Sequence, residues 1–538
     1  MIFVYFPLIL LSILGYGFFA SEKIIKLRKI NLGFQGIIGF FFLLVISYLS
    51  TQFVAHSIKF NSSILLIGLI FFIIYFNKLN LDKKNIKLLA IITFLSLIFI
   101  LVGKNHDDFH YYHFPYIITL VENPHPIGLG NLNHGFKTHS SIFLFSSLFS
   151  LPAANYNLFH LAPAYILIFS NFIFLKLILN KEIIKNNIFI IYLSLSSIVF
   201  INIFFYRLGE HGTDRSAMIL IILLITNLLY FMNKNMKNID TDYLKLFTII
   251  FTIIISLKAF YLIYIVLFFP IIIHIYKKTK SIKLFFNMNL LICLLLFGLV
   301  ILTNFVNTGC LLFPEKKTCF FDMPWSISLE TVEYLRLHFE NWAKAGSGSG
   351  YTITEYNKLD YVSNLNWLEN WTEKYFFNKV SDLIYSLIFI LLIFVALFKG
   401  SKSNKAYKRN FKLLFFLLIV IFITWFMLHP SLRYGGYHLF FLTMFIPLSL
   451  FLERFSNNIK NFDRKILIIL IMTTLIFLGR NTDRLIKEYK LYSYNPFLNT
   501  NYPIREDSFR IQKRINKMIK ENKTKKIYNN RHMFFQNM

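Results

Sequence analysis

Long apolar runs separated by short, mostly basic loops organise this chain. A membrane-spanning helix needs about 20 apolar residues. Fourteen stretches approach that length, near 2–20, 32–54, 61–76, 88–103, 155–179, 188–206, 215–232, 246–257, 259–276, 284–304, 381–398, 412–428, 437–452 and 465–479. The pattern predicts an all-α polytopic membrane protein with about 14 transmembrane segments.

The polar punctuation predicts which segments share a face. Seven loops are basic, among them SEKIIKLRK, YKKTKSIK and KGSKSNKAYKRNFK. They fall on one face if 246–257 and 259–276 form a hairpin, and the positive-inside rule makes that face cytoplasmic. The opposite face then holds 104–154, LGEHGTDR at 208–215, 305–380 and HPSLRYGGY at 429–437. The same count places the tail from Arg480 there too, although it is strongly basic; long segments obey the charge rule poorly. The expected division is 1–103, a four-helix membrane segment; 104–154, an acidic and juxtamembrane loop; 155–304, a central membrane segment; 305–380, a loop domain; 381–479, a C-terminal membrane segment; and 480–538, a basic tail.

Composition agrees with this reading. Of 538 residues, 56% are hydrophobic and 15% charged, against about 25% charged in soluble domains. The net charge of +29 needs only a Lys-rich composition and positive-inside loops, so no nucleic-acid partner is expected. The first apolar run lacks a basic n-region, since the first lysine is Lys23, and reads as a retained helix rather than a cleaved signal. No repeat of 20–50 residues is visible. GSGSG at 346–350 has linker composition without the Lys-Ser/Thr of a phosphate loop.

The densest chemistry lies in GKNHDDFHYYHFP, 103–115. On an α-helix His106, His110 and His113 would share one face. Three readings meet here: interfacial His and Tyr anchors, a three-His zinc set, and an aspartate general base beside the bilayer with the histidines around it. Ionisable groups at membrane depth are costly, which favours the last. If Asp107 and Asp108 are buried together, one carboxyl is expected to rise toward neutrality. An aspartate pair also offers oxygen ligands of the kind Mg²⁺ or Mn²⁺ takes.

A membrane helix followed by DDFHYYHFP resembles the acidic first loop of the GT-C superfamily of membrane glycosyltransferases, and the Asp-x-x-x-Tyr-His-x-Pro loop of bacterial relatives. Asp108, Tyr112, His113 and Pro115 fall into that register. HGFKTHSSIFLFSSLFSLP and LFHLAPAYILIF are similar to the juxtamembrane helix and span that follow. The chain departs from the pattern by three extra helices before the acidic loop. Lys258, in SLKAFYLIY, would sit at the tip of a short hairpin, which looks like the hairpin lysine of lipid-linked sugar transferases; a snorkelling lysine is the bland alternative.

The resemblance implies a polyprenyl-phosphate-linked sugar donor; a glycan, lipid or protein acceptor; and a multi-pass place in the bacterial cytoplasmic membrane with the active site outside. Asp107 and Asp108 would be catalytic. His110, Tyr112, His113, Arg215, Lys258, Arg433 and Tyr434 would bind substrate, the cations holding phosphate. A transporter or flippase of a lipid-linked or anionic substrate is the rival, using the same cations without a base. On this topology Cys310 and Cys319 can form a disulfide, and Cys293 is inert packing. Trp325, Trp342, Trp367 and Trp371 would either stack on sugars or build a small core.

Overall fold

The computed structural model describes residues 1–27, 30–78, 82–104, 106, 108–210, 212–233, 241–280, 283–348, 351, 353, 357–400, 411–455, 461–498 and 506–520. Asp107, the end of the GSGSG linker and the last stretch of the tail lie outside them. Among the described residues the chain is helical, with no β-strand beyond two isolated bridges. Nine helices there are long and apolar enough to cross a bilayer. Ile188–Phe204 and Lys412–Leu428 are apolar but shorter.

The first three helices, Ile2–Phe19, Leu32–Thr51 and Ile58–Lys78, pack through bare backbone. A Cβ on Gly15 would sit 1.9 Å from the Gly68 carbonyl oxygen, and one on Gly39 would sit 1.8 Å from that of Ile13. Between apolar helices in lipid, such close approach supplies the dispersion contacts that burial of apolar surface cannot.

The fourth expected span differs. The run 88–103 is not one helix. Lys83–Leu95 ends at Ser96, whose hydroxyl donates back to the Ile92 carbonyl, and a short turn Leu97–Ile100 leads to extended backbone at Leu101. Side-chain back-bonding of this kind competes with the helix ladder. Arg484 captures the freed carbonyls, donating to Leu101 O at 2.8 Å and Ile98 O at 3.2 Å, while the Gly103 N–H donates to Glu488 at 2.7 Å. Arg484 and Glu488 are themselves paired at 3.0 Å. The start of the acidic loop is thus clamped by a helix nearly four hundred residues later.

The two arms around Lys258 fold back on each other. Phe268 of the return arm packs edge-on against both Phe247 and Phe251 of the helix Thr241–Leu257, at 5.0 Å. Lys258 is extended at the tip, and Ala259–Leu267 is a nine-residue 3₁₀ helix. A 3₁₀ helix rises about 2.0 Å per residue, so this stretch covers about 18 Å. With Phe268–Thr279 continuing as α-helix, the return arm reaches about 36 Å, longer than α-helical geometry alone predicts.

The loop side and the basic side are separated in space. At one end Lys245 donates to the Ile25 carbonyl at 2.8 Å, Lys176 to Asn85 at 2.9 Å, and Glu22 pairs with Lys78. At the other end Asn131 donates to the Trp325 carbonyl, Trp371 to that of Pro430, and the His106 N–H to that of Glu210. The loop domain has its own small core of Cys310, Phe313, Ile327, Val332 and Leu335, and Cys310 and Cys319 are disulfide-bonded. Trp367 and Trp371 are buried and Trp325 donates to the Phe305 carbonyl, so these three build structure; Trp342 alone among the four leans on a candidate site residue, Tyr434, at 5.5 Å.

The expected boundary at 479 falls inside a single helix, Phe462–Tyr492. The apolar run ends at Arg480 but the helix does not, because Arg480 stacks on Tyr206 and Arg484 finds buried partners. The tail then returns as Glu506–Lys520, docked on the juxtamembrane helix Phe114–Glu122. Phe509 packs on Phe114 at 5.6 Å, and Gln512 donates to Glu122 at 3.2 Å.

Replacing Gly39 by valine is expected to lower stability in detergent by about 1–3 kcal/mol or more, because a backbone carbonyl must move. Gly298→Ala meets nothing within 4 Å and should be neutral or stabilising by up to about 1 kcal/mol. Thermal melts of the two variants check the contrast.

Candidate functional site

The acidic loop re-enters structure at a π-helical turn, Phe109–His113, that feeds the juxtamembrane helix, with Pro115 at its start where no intrahelical N–H is needed. The π-turn changes the register assumed from α-helical spacing, and the three histidines diverge. His106 lies ahead of the turn, where its Nδ1 accepts the Asp108 N–H at 3.1 Å. His110 turns to the tail helix, with Nδ1 3.1 Å from the Ser508 hydroxyl. His113 is buried against Phe143 and Tyr112. They therefore do not offer a three-His metal set.

Asp108 meets three distant segments. Arg433 Nη2 donates to Asp108 Oδ2 at 2.6 Å, and Arg433 Nε donates to Asp214 Oδ2 at 2.7 Å. Lys258 Nζ donates to the other oxygen of Asp214 at 2.6 Å and lies over the Tyr434 ring at 4.2 Å. The Tyr112 hydroxyl makes a long 3.4 Å contact with Asp108 Oδ2. Among the described residues Asp108 Oδ1 receives no hydrogen bond.

Local sequence explains each placement. Asp214 begins the helix Asp214–Asn233, where the helix dipole favours a carboxylate. Arg433 and Tyr434 lie in a 3₁₀ turn that ends at Gly435, φ 128°, a conformation L side chains rarely adopt. A Cβ on Gly436 would also strike the Trp425 ring at 2.6 Å. The Lys258 tip is fixed by the hairpin.

Two carboxylates and two cations balance within this array. Burial pushes the Asp108 carboxyl up, but Arg433, helped by the flanking imidazoles, outweighs it and holds the group below the usual aspartate range. The rise expected of one member of the Asp107–Asp108 pair concerns Asp107 as well, which lies outside the described residues. The Lys258 ammonium is pushed below its ordinary value by burial, against the pull of Asp214. Burial holds His113 at about 3, neutral at any physiological pH, and its Nε2 has no partner. Arg433 and Lys258 are the cations that hold Asp108 and Asp214; the aspartate pair suggested for Mg²⁺ or Mn²⁺ includes Asp107, which lies outside the described residues. Among the described residues there is no cluster of three or more His, Cys, Asp or Glu.

Of the residues expected at the site, the structure brings together Asp108, Tyr112, Lys258, Arg433 and Tyr434, with His113 packed behind Tyr112. It sets His110 apart, turned against Ser508 of the tail helix. Arg215 follows Asp214, partly buried near Tyr437 and Glu210, and makes no hydrogen bond or ion pair among the described residues. Asp107 lies outside them.

Two residues were given no role by sequence reasoning. Asp214, the hub of the array, was signalled only by a carboxylate opening an apolar run. Lys137 is 5% exposed and makes no hydrogen bond or ion pair among the described residues. Burial pushes its ammonium down to about 8. It ends the turn His134–Lys137, which packs on the Tyr112 ring so closely that a Cβ on Gly135 would lie 2.2 Å from it. A buried ammonium without a counter-ion is costly, which is the reason for that lowering of the Lys137 group.

The chain matches a family described as a domain of unknown function (DUF8201) over residues 1–441 and belongs to that family. No curated protein and no solved structure matches it. The matched span contains Asp108, Lys137, Asp214, Lys258 and Arg433 and stops short of the tail helix.

Removing Arg433 leaves Asp108 and Asp214 with one cation, Lys258, between them, and Asp108 without its own. In the parent protein the depressed Asp108 group contributes stability at neutral pH that is lost as pH falls through its folded value. In Arg433→Gln the sign reverses, because protonation relieves repulsion. The variant should lose about 3–5 kcal/mol at pH 7, recover part of it at pH 5, and recover at pH 7 when Asp108→Asn is added. Thermal melts across pH on the single and double variants check this.

Proposed function

We propose that this DUF8201 protein is a GT-C-type glycosyltransferase. It moves a sugar from a polyprenyl-phosphate-linked donor to an envelope glycan, lipid or protein acceptor, at the acidic-loop face of the bacterial cytoplasmic membrane, which is the extracytoplasmic one. The observation that carries the reading is the Asp108–Arg433–Asp214–Lys258 array. Four segments far apart in sequence deliver a carboxylate with one open oxygen and two cations to one place at the mouth of the membrane helices.

The chemistry needs a base at the acceptor and positive charge at the leaving phosphate. Asp108 Oδ1 accepts the proton of the acceptor hydroxyl as its oxygen bonds to the sugar C1. The C1–O bond to the carrier phosphate breaks with its electron pair, through an oxocarbenium-like transition state. Polyprenyl phosphate leaves as the anion, stabilised by cations preorganised for it.

In the resting array Arg433 and Lys258 are engaged by carboxylates, and the Asp108 carboxyl is a weak base because Arg433 stabilises its charge. Lys137, which has no such partner among the described residues, adds a further cation for the phosphate. A donor phosphate that then competes for Arg433 frees Asp108 from its counter-ion and raises its pKa toward the range useful to a base. Donor binding and base activation are thereby one event.

Asp108→Asn should reduce product in a cell-based glycan assay by about 10²–10⁴-fold with expression retained. Undiminished product from the Asp107→Asn, Asp108→Asn and double variants would remove the proposal, and donor movement without bond cleavage would favour transport. Lys137→Met should weaken donor binding while raising thermal stability, since it removes an uncompensated buried charge. In the parent, donor affinity should decline as pH rises through about 8, where Lys137 loses its proton.

A further inference from the structure

The C-terminal corner outside the matched family span has two unlike faces. On the tail helix Glu506–Lys520, Ser508, Gln512 and Ile515 are buried. Arg510, Lys513, Arg514 and Lys517 are exposed and recur at i, i+3, i+4 and i+7, so they form one basic stripe. Just before this helix the chain presents Phe497 and Leu498, 91% and 87% exposed. Two large apolar side chains so open to the surroundings, followed along the chain by a row of cations, form the signature of an interfacial membrane segment.

The preceding helix says which surface they meet. Phe462–Tyr492 has 31 residues, about 46 Å at 1.5 Å per residue, against a hydrocarbon core of about 30 Å. Its exposed apolar stripe of Ile468, Met472 and Leu475 continues past Gly479, whose side is open, to Ile486 and Tyr489. Past Arg480 this face also carries the exposed Asp483–Lys487 ion pair, a mixed apolar and charged surface suited to the headgroup zone, and Phe497 and Leu498 follow.

We propose that this corner, residues 486–498 together with the basic stripe of the tail helix, docks on the anionic phospholipid headgroups of the bilayer in which the protein sits. Cations near an anionic surface add attraction that salt screens. The docked helix holds the acidic loop from behind: the Ser508 hydroxyl is 3.1 Å from His110 Nδ1 and donates to the His110 carbonyl at 3.1 Å, and Asn516 donates to Glu122 at 2.5 Å. Lipid charge at the corner is therefore mechanically connected to the turn that carries Asp108 and Tyr112. This inference does not rest on the glycosyl-transfer reading.

The test uses the full chain with Leu498→Cys carrying an environment-sensitive fluorophore. Cys310 and Cys319 are bonded to each other and Cys293 is buried, so the new thiol is the one labelled. The labelled protein is reconstituted in phosphatidylcholine vesicles, alone or with phosphatidylglycerol, containing nitroxide-labelled headgroups as quencher. Quenching should rise with phosphatidylglycerol, fall with added salt, and lose its dependence on lipid charge in Lys513→Glu/Arg514→Glu. Quenching indifferent to both phosphatidylglycerol and salt in the parent would overturn the proposal. So would a label shielded by a second copy of the chain, detected as thiol cross-linking between copies in the unlabelled Leu498→Cys protein. The salt titration is made on the parent sequence around the helix, so it decides even if the charge-reversed variant undocks.

Discussion

Arg433 bridging Asp108 and Asp214 is the contact on which the acidic-loop end of this protein depends. Its two guanidinium arms reach carboxylates that belong to segments 325 and 219 residues away along the chain. Charges withdrawn from water persist only when paired with good geometry. The planar fork of arginine satisfies two oxygens at once, where an ammonium would act as a point charge. The acidic loop, the start of the helix Asp214–Asn233 and the turn before Gly436–Glu453 must therefore converge, and Lys258 completes the neutral set.

The scaffold around that contact is built to hold it from several sides. Arg484 and Glu488 tie down the unwound end of the fourth apolar run, so the acidic loop begins from a fixed point. Trp342 of the loop-domain helix Leu329–Lys344 packs on Tyr434, whose other neighbour is the Lys258 ammonium. Tyr112 is gripped between the turn at 134–137 and Phe143. The array is balanced in charge, and Lys137 is a separate buried cation with no ion pair among the described residues.

The hairpin shows how backbone form and chemistry combine. Two arms of α-helix joined at Lys258 would be short for a bilayer. A 3₁₀ stretch of nine residues lengthens the return arm without adding sequence, and long 3₁₀ runs are uncommon enough to mark positions under constraint. The constraint here is the need to carry a lysine to the same depth as Asp214. The 3₁₀ segment also directs Tyr261 and Tyr264 to the buried face beside His438.

Much of the architecture was legible along the chain because lipid removes the alternatives to a helix. Apolar run length located most of the long helices, although only nine of the fourteen expected spans are long and apolar enough among the described residues. A lysine inside an apolar run has to reach an end, so Lys258 declared its place at a hairpin tip. Other readings failed where they assumed regular geometry. The π-turn at Phe109–His113 sends His110 and His113 to different neighbours, and Ser96 breaks a run that composition alone extends to Val102. Lys137 was illegible, since a lysine among loop residues is ordinary until packing buries it without a counter-ion. By itself, then, the sequence determined that this is a helical chain with membrane-length apolar runs, and with basic loops grouped apart from the loops that carry its carboxylate, histidine and arginine candidates. Only the tertiary structure decided which of those residues neutralise one another, because pairing depends on distances of a few ångströms between segments hundreds of residues apart.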